Sequence, residues 1–197
     1  MKHHPYRSLR YFIGAAVLLA LVPVIVSAQR DYFTPEEIEL IRDAQEIDSR
    51  IEVLVRAIDR RFEVLKLDMA APALSKKDTR KWGELPQGTR AEMLFDIKRI
   101  LRKAIDDIDG LAERPDSAVI SPTKDPKKKK KVEDIFPKAV KHLAKAAERY
   151  QPILKAELDK TKDNAEKGSI MDTIDMCDDI IAAVAKLPTA FTQKKAE

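Results

Sequence analysis

Four stretches of this chain repeat their apolar residues every three or four positions, and that period commits it to helices. In the first, Leu40, Ala44, Ile47, Ile51, Leu54, Ile58, Phe62 and Leu65 line one face when about 100° is turned per residue. Thr34-Pro35-Glu36-Glu37 opens the stretch as a capping box with proline at the first helical position. The pattern predicts a helix from Pro35 to about Asp68, roughly 50 Å long if unbroken. Arg42–Glu46, Glu46–Arg50 and Glu52–Arg56 are spaced as ion pairs along its outer face, each adding a few tenths of a kcal/mol.

The second stretch opens on another capping box, Thr89-Arg90-Ala91-Glu92. Leu94, Ile97, Leu101, Ala104, Ile105 and Ile108 make its stripe, widened by Met93, Ile100 and Leu111. Gly110 weakens its end and Pro115 stops it. The third begins near Asp134 or Phe136, with Pro137 in its first turn. Phe136, Val140, Leu143, Ala147, Tyr150, Leu154 and Leu158 keep phase through Pro152, which reads as a kink in one helix, with a break into two as the alternative. The fourth runs from Ser169 to about Leu187, carries Ile170, Ile174, Cys177, Ile181 and Val184 on one side, and ends at Pro188.

Between these stretches the chain is punctuated. Pro72, Gly83, Pro86 and Gly88 interrupt residues 70–88. Residues 114–132 form a linker with Pro115, Pro122 and Pro126 that ends in consecutive lysines. No segment of useful length has the two-residue period of a strand, and glycine occurs only 5 times. The expected fold is all-α: four amphipathic helices, as helical hairpins 34–113 and 133–188, form a four-helix bundle. Residues 189–197 are expected to be a flexible tail.

A different pattern precedes the helices. Lys2, Arg7 and Arg10 lead into an uncharged apolar run, Tyr11–Val26, followed by Val26-Ser27-Ala28. That order is the pattern of a secretory signal peptide, residues 1–28, cleaved after Ala28. A retained N-terminal membrane anchor is the competing reading. The run of 16 residues spans about 24 Å as a helix, short of the roughly 30 Å hydrocarbon core. No cysteine follows it, as a lipoprotein requires, and Arg7 and Arg10 are not adjacent, as the twin-arginine route requires. The expected location is therefore the periplasm or the extracellular space.

Charge narrows the partners. The chain has a net charge of +4, but three of its cations lie in the leader, so the remainder carries about +1. Residues 29–113 hold 16 cations and 19 acids, and residues 114–197 hold 18 and 14. This is not the field of a nucleic-acid-binding protein. The mild asymmetry suits attraction between halves or between chains.

Candidate chemistry is sparse. Cys177 is the one cysteine, so no internal disulfide forms. At the centre of an apolar stripe it reads as a small buried hydrophobe, with an intermolecular disulfide or reactive thiol as the alternative. His142 is the one histidine beyond the leader, turned away from its stripe; a zinc site needs more. Asp106, Asp107 and Asp109, and Asp172, Asp175, Asp178 and Asp179, form acidic runs without Glu-x-x-His pairs or an EF-hand loop. They read as solvated faces, with cation binding as the sharper alternative. No nucleophile motif or phosphate loop is present.

Two features remain. Trp82, the only tryptophan, either folds back onto the core or stands exposed as a partner contact. Lys127, Lys128, Lys129, Lys130 and Lys131 are either a solubilising linker or a contact for an anionic membrane surface, worth about 1 kcal/mol per lysine there. The functional expectation is an exported, non-enzymatic helical bundle with no cofactor that binds an envelope protein or a second copy of itself. A peripheral binder of anionic envelope surfaces and a metal- or cofactor-binding bundle are the alternatives.

Overall fold

The computed structural model describes residues 30–67, 80–117 and 132–187. Residues 1–28, expected to be a signal peptide, Lys127–Lys131 and the expected tail 189–197 lie outside them. Residues from Tyr32 onward belong to one compact unit. Its regular elements are helices: α1 (Pro35–Asp43), α2 (Ile47–Val64), α3 (Arg90–Glu113), α4 (Val132–Lys160) and α5 (Asn164–Val184), with a short 3₁₀ turn at Pro115–Ser117. No strand occurs among the described residues. No described helix is long and apolar enough to cross a membrane.

The first expected helix is two helices. The chain leaves the helical conformation at Ala44 (φ −78°, ψ 76°) and re-enters at Ile47. Leu40, Ala44, Ile47 and Ile51 are all buried across the break, so the apolar spacing continues while the backbone turns. The compensation comes from Arg50, whose Nε donates to the Ala44 carbonyl at 2.9 Å and whose Nη2 reaches the Gln45 carbonyl at 3.5 Å. The reason for the turn is Glu37. Its carboxylate binds Arg60 and Arg61, 23 and 24 residues away, which a straight helix would hold about 35 Å off. The break folds α1 back along α2. It also replaces the expected Arg42–Glu46 pair with Arg42–Glu39 at 2.8 Å.

The other ends follow local chemistry. The helix ends at Val64 rather than near Asp68, because Lys66 turns left-handed (φ 55°) and Leu67 N–H reaches the Phe62 carbonyl at 3.0 Å. Both capping boxes form as read: Thr34 Oγ1 accepts from Glu37 N–H, Thr89 Oγ1 from Glu92 N–H, and each glutamate returns to its threonine N–H. The last helix starts at Asn164, five positions before the expected Ser169, since Asp163 Oδ1 accepts from the N–H groups of Ala165 and Glu166 at 2.8 and 2.9 Å. The third stretch is one continuous helix through Pro152. Pro152 and Glu148, whose carbonyl loses its helical donor, both lie on the exposed side.

Packing joins the long helices in pairs. α2 packs on α3 and on α4, while α5 packs on α3 and on α4. Polar contacts give the directions. Arg90, at the start of α3, bonds Glu157 near the end of α4 and Glu166 near the start of α5. Further along, Lys98 of α3 meets Asp172 of α5. α3 and α5 therefore run the same way, and α4 runs against both. One apolar core, including Ile51, Leu54, Ile58, Phe62, Ile97, Leu101, Leu143, Tyr150, Ile170 and Cys177, unites the helices.

Candidate functional site

The seam between α3 and α5 has two unlike halves. In the first, Arg90 Nη2 lies 2.6 Å from Glu157 Oε2 and Arg90 Nε lies 3.2 Å from Glu166 Oε2. Lys160 and Thr161 add bonds to the same two carboxylates. Lys98 Nζ to Asp172 Oδ2, at 3.2 Å, continues the fastening. The Lys160 hydrogen bond, with help from Arg90, holds the Glu157 carboxyl below its ordinary acidity range against the opposing effect of burial.

Past Lys98 the seam opens into a cleft of about 480 Å³. α3 contributes Arg102, Ile105, Ile108 and Asp109, and α4 lays Phe136, Val140 and Leu143 across the floor. α5 contributes Met176, Asp179, Ile180, Ala183 and Lys186, with Leu187 just beyond its end. The lining is mainly apolar and the size is that of ligand sites. Ala183, a small residue, lines the wall. Arg102, Asp109, Asp179 and Lys186 are exposed at the rim. Among the described residues none of these four has an ion-pair partner.

The opposite end of the molecule holds buried charge. Glu37, Arg60 and Arg61 are each at most 1 % exposed. Glu37 Oε1 accepts from Arg60 Nη1 at 2.9 Å and from Arg61 Nη1, while Oε2 accepts from Arg61 Nη2 at 2.7 Å and Thr34 N–H at 3.0 Å. Arg60 also donates to the carbonyls of Gly83 and Glu84. Gly83 has φ +64°, a left-handed turn suited to glycine. Burial pulls the Arg60 guanidinium below its ordinary range, and Glu37 pulls it back up. Between α2 and α4, Tyr150 Oη donates to Asp59 Oδ1 at 2.8 Å, and its ring stacks on Phe62 at 5.2 Å. Burial raises the Asp59 carboxyl, opposed by Arg149, and raises the Tyr150 phenol well above its ordinary value.

The sequence-derived candidates fall in several places. Trp82 is 8 % exposed, packed in the core with the Arg60 guanidinium 5.5 Å over its ring. It folds back rather than standing out as a partner contact. Lys127–Lys131 lie outside the described residues. Cys177 is fully buried, and burial pushes its thiol up to about 12, so it carries no thiolate near neutral pH. His142 is exposed, as are Asp106, Asp109, Asp172, Asp175, Asp178 and Asp179. Among the described residues no group of three or more His, Cys, Asp or Glu is placed to hold a metal ion. Nothing in the sequence reading singled out the cleft, because its apolar residues look like ordinary core positions.

No protein-family model, no curated protein and no solved structure matches this chain.

Proposed function

We propose that this chain is an exported, non-enzymatic four-helix bundle that works by binding another protein of the cell envelope, with the α3–α5 cleft as its contact surface. The ring of contacts α2–α3–α5–α4 supports the bundle arrangement. The leader pattern of residues 1–28 supports export. The observation that carries the binding reading is the cleft: lined mainly by apolar residues and rimmed by four charges that have no ion-pair partner among the described residues. Apolar surface that a chain leaves unfilled between otherwise close-packed helices marks an interaction site. Groups with shifted acidity support a role other than catalysis, since Asp59, Tyr150 and Cys177 are buried in the core and Glu157 is tied into ion pairs.

The test is native mass spectrometry of the protein released gently from its host's envelope, with a photocrosslinking residue in place of Lys186. The expected result is a chain beginning at Gln29 with a second protein attached, crosslinked through the cleft. A bare monomer that crosslinks to nothing overturns the proposal.

A further inference from the structure

We infer that Gln29, made the first residue by cleavage after Ala28, closes on its own side chain to a pyroglutamyl cap. This inference rests on the export reading and adds a covalent modification at the new N-terminus.

The boundary of the fold carries it, together with the residue type. The compact unit begins at Tyr32. The Tyr32 carbonyl accepts from Arg61 Nη2 at 2.7 Å. Its ring lies 4.5 Å from the Phe33 ring, and the Arg99 guanidinium stands 4.9 Å over it. Among the described residues Tyr32 is also the first that packs against the core. Arg30 and Asp31, just ahead of this anchor, are exposed and belong to no helix. A cut after Ala28 therefore puts the new α-amine on Gln29, ahead of two exposed residues and outside the anchored fold. Ring closure there takes nothing from the core.

Glutamine supplies the chemistry by itself. Its amide carbon Cδ is one ring closure away from its own α-nitrogen. An α-amine has an ordinary pKa of about 7.7–8.0, so a fraction of it is neutral and nucleophilic near neutral pH. The neutral nitrogen attacks Cδ. The N–Cδ bond closes a pyrrolidone ring and the Cδ–Nε2 bond breaks. Nε2 leaves as ammonia, taking the proton that the α-nitrogen gives up. No oxidant, reductant or second substrate takes part.

The product has lost its terminal amine and the positive charge that goes with it. Aminopeptidases work from that amine, and the ends of a domain are where proteolysis concentrates. The cap thus guards the anchor. Trimming through Tyr32 removes an acceptor from Arg61, which is 1 % exposed and shares Glu37 with Arg60.

The test is intact-mass measurement and N-terminal sequencing of the full-length gene product after export by its host. The expected chain is residues 29–197 less the mass of one ammonia. It resists N-terminal sequencing, and reads from Arg30 once pyroglutamyl aminopeptidase has removed the cap. Gln29→Ser is expected to keep its full mass and to sequence directly from position 29. Under a broad-specificity aminopeptidase that variant is expected to shorten while the unsubstituted chain keeps its mass. An unsubstituted chain that begins at Gln29 and keeps a free amine through prolonged warm incubation overturns the inference, and leaves cleavage after Ala28 standing. The same loss of ammonia in Gln29→Ser overturns it too, by placing the loss elsewhere. Equal shortening of the two chains overturns the protective role of the cap. A chain that starts at another residue, or that keeps residues 1–28, overturns the cleavage reading and the cap with it.

Discussion

The two halves of the α3–α5 seam solve the same packing problem in opposite ways. The first half is fastened by charge: Arg90 grips two carboxylates and Lys98 grips a third. The second half is apolar inside, has no ion pair at its rim among the described residues, and opens into the cleft. The buried Glu37–Arg60–Arg61 cluster lies toward the fastened end, where Arg61 Nε is 3.9 Å from Asp96 of α3. Rigidity and vacancy are thus separated along one pair of parallel helices. A cleft that must keep its shape without an occupant needs the other end held.

The largest expected effect comes from breaking the fastened end at its deepest charge. Glu37→Ala leaves two buried guanidiniums without their shared carboxylate and is expected to cost about 3–5 kcal/mol, read from the midpoint of urea unfolding. A loss below about 1 kcal/mol would mean that water or other acceptors already serve those arginines. Next is a matched pair of enlargements. Ala147→Phe, at a position with 0 % exposure, is expected to cost about 1–3 kcal/mol through overpacking. Ala183→Phe in the cleft is expected to stay within about 0.5 kcal/mol. Equal losses would show that the cleft closes in solution.

A smaller effect is tied to pH. Glu157 titrates below its ordinary value of 4.5 in the folded protein, so its stabilising contribution is complete above that value and is lost as pH falls through the folded one. Asp59 works in the other direction. Burial raises it above its ordinary 3.8, so its contribution declines as pH rises through that window. Glu157→Gln is expected to lower stability at pH 7 by about 1 kcal/mol, because its cationic partners Arg90 and Lys160 are 36 % and 68 % exposed and screened. The deficit is expected to shrink toward pH 3, as compared unfolding curves at the two pH values would reveal. A deficit independent of pH would assign the effect to packing instead. The smallest change belongs to the rim: Arg102→Ala and Lys186→Ala are expected to move stability by no more than about 0.5 kcal/mol, against a measurable loss for Arg90→Ala. A larger loss at the rim would reveal an ion pair there.

Much of the helical content was legible because it rests on short-range rules. The capping boxes at Thr34 and Thr89 depend on residues three apart, and the stripes of Leu94–Ile108 and Val140–Leu154 depend on a fixed period. The break at Ala44 was not legible, since the apolar phase persists across it and its cause, Glu37, acts on partners more than twenty residues away. The start of α5 differs from the expected Ser169 for a local reason: Asp163 is a good N-cap residue, but the polar run after it carries no stripe. The cleft was hidden for a third reason. Ile105 and Ile180 have the same sequence signature whether they meet a neighbour or a space, and only the packed helices separate the two cases.

Glu37 ties the first helix to the rest of the molecule through one carboxylate. α1 is nine residues long and packs chiefly on α2. Its amides will therefore exchange with solvent as a group, through an opening smaller than global unfolding. That opening must rehydrate three buried charges at once, so it will be rare. In Glu37→Ala, α1 becomes the first part of the unit to exchange, while α3, α4 and α5 keep their protection.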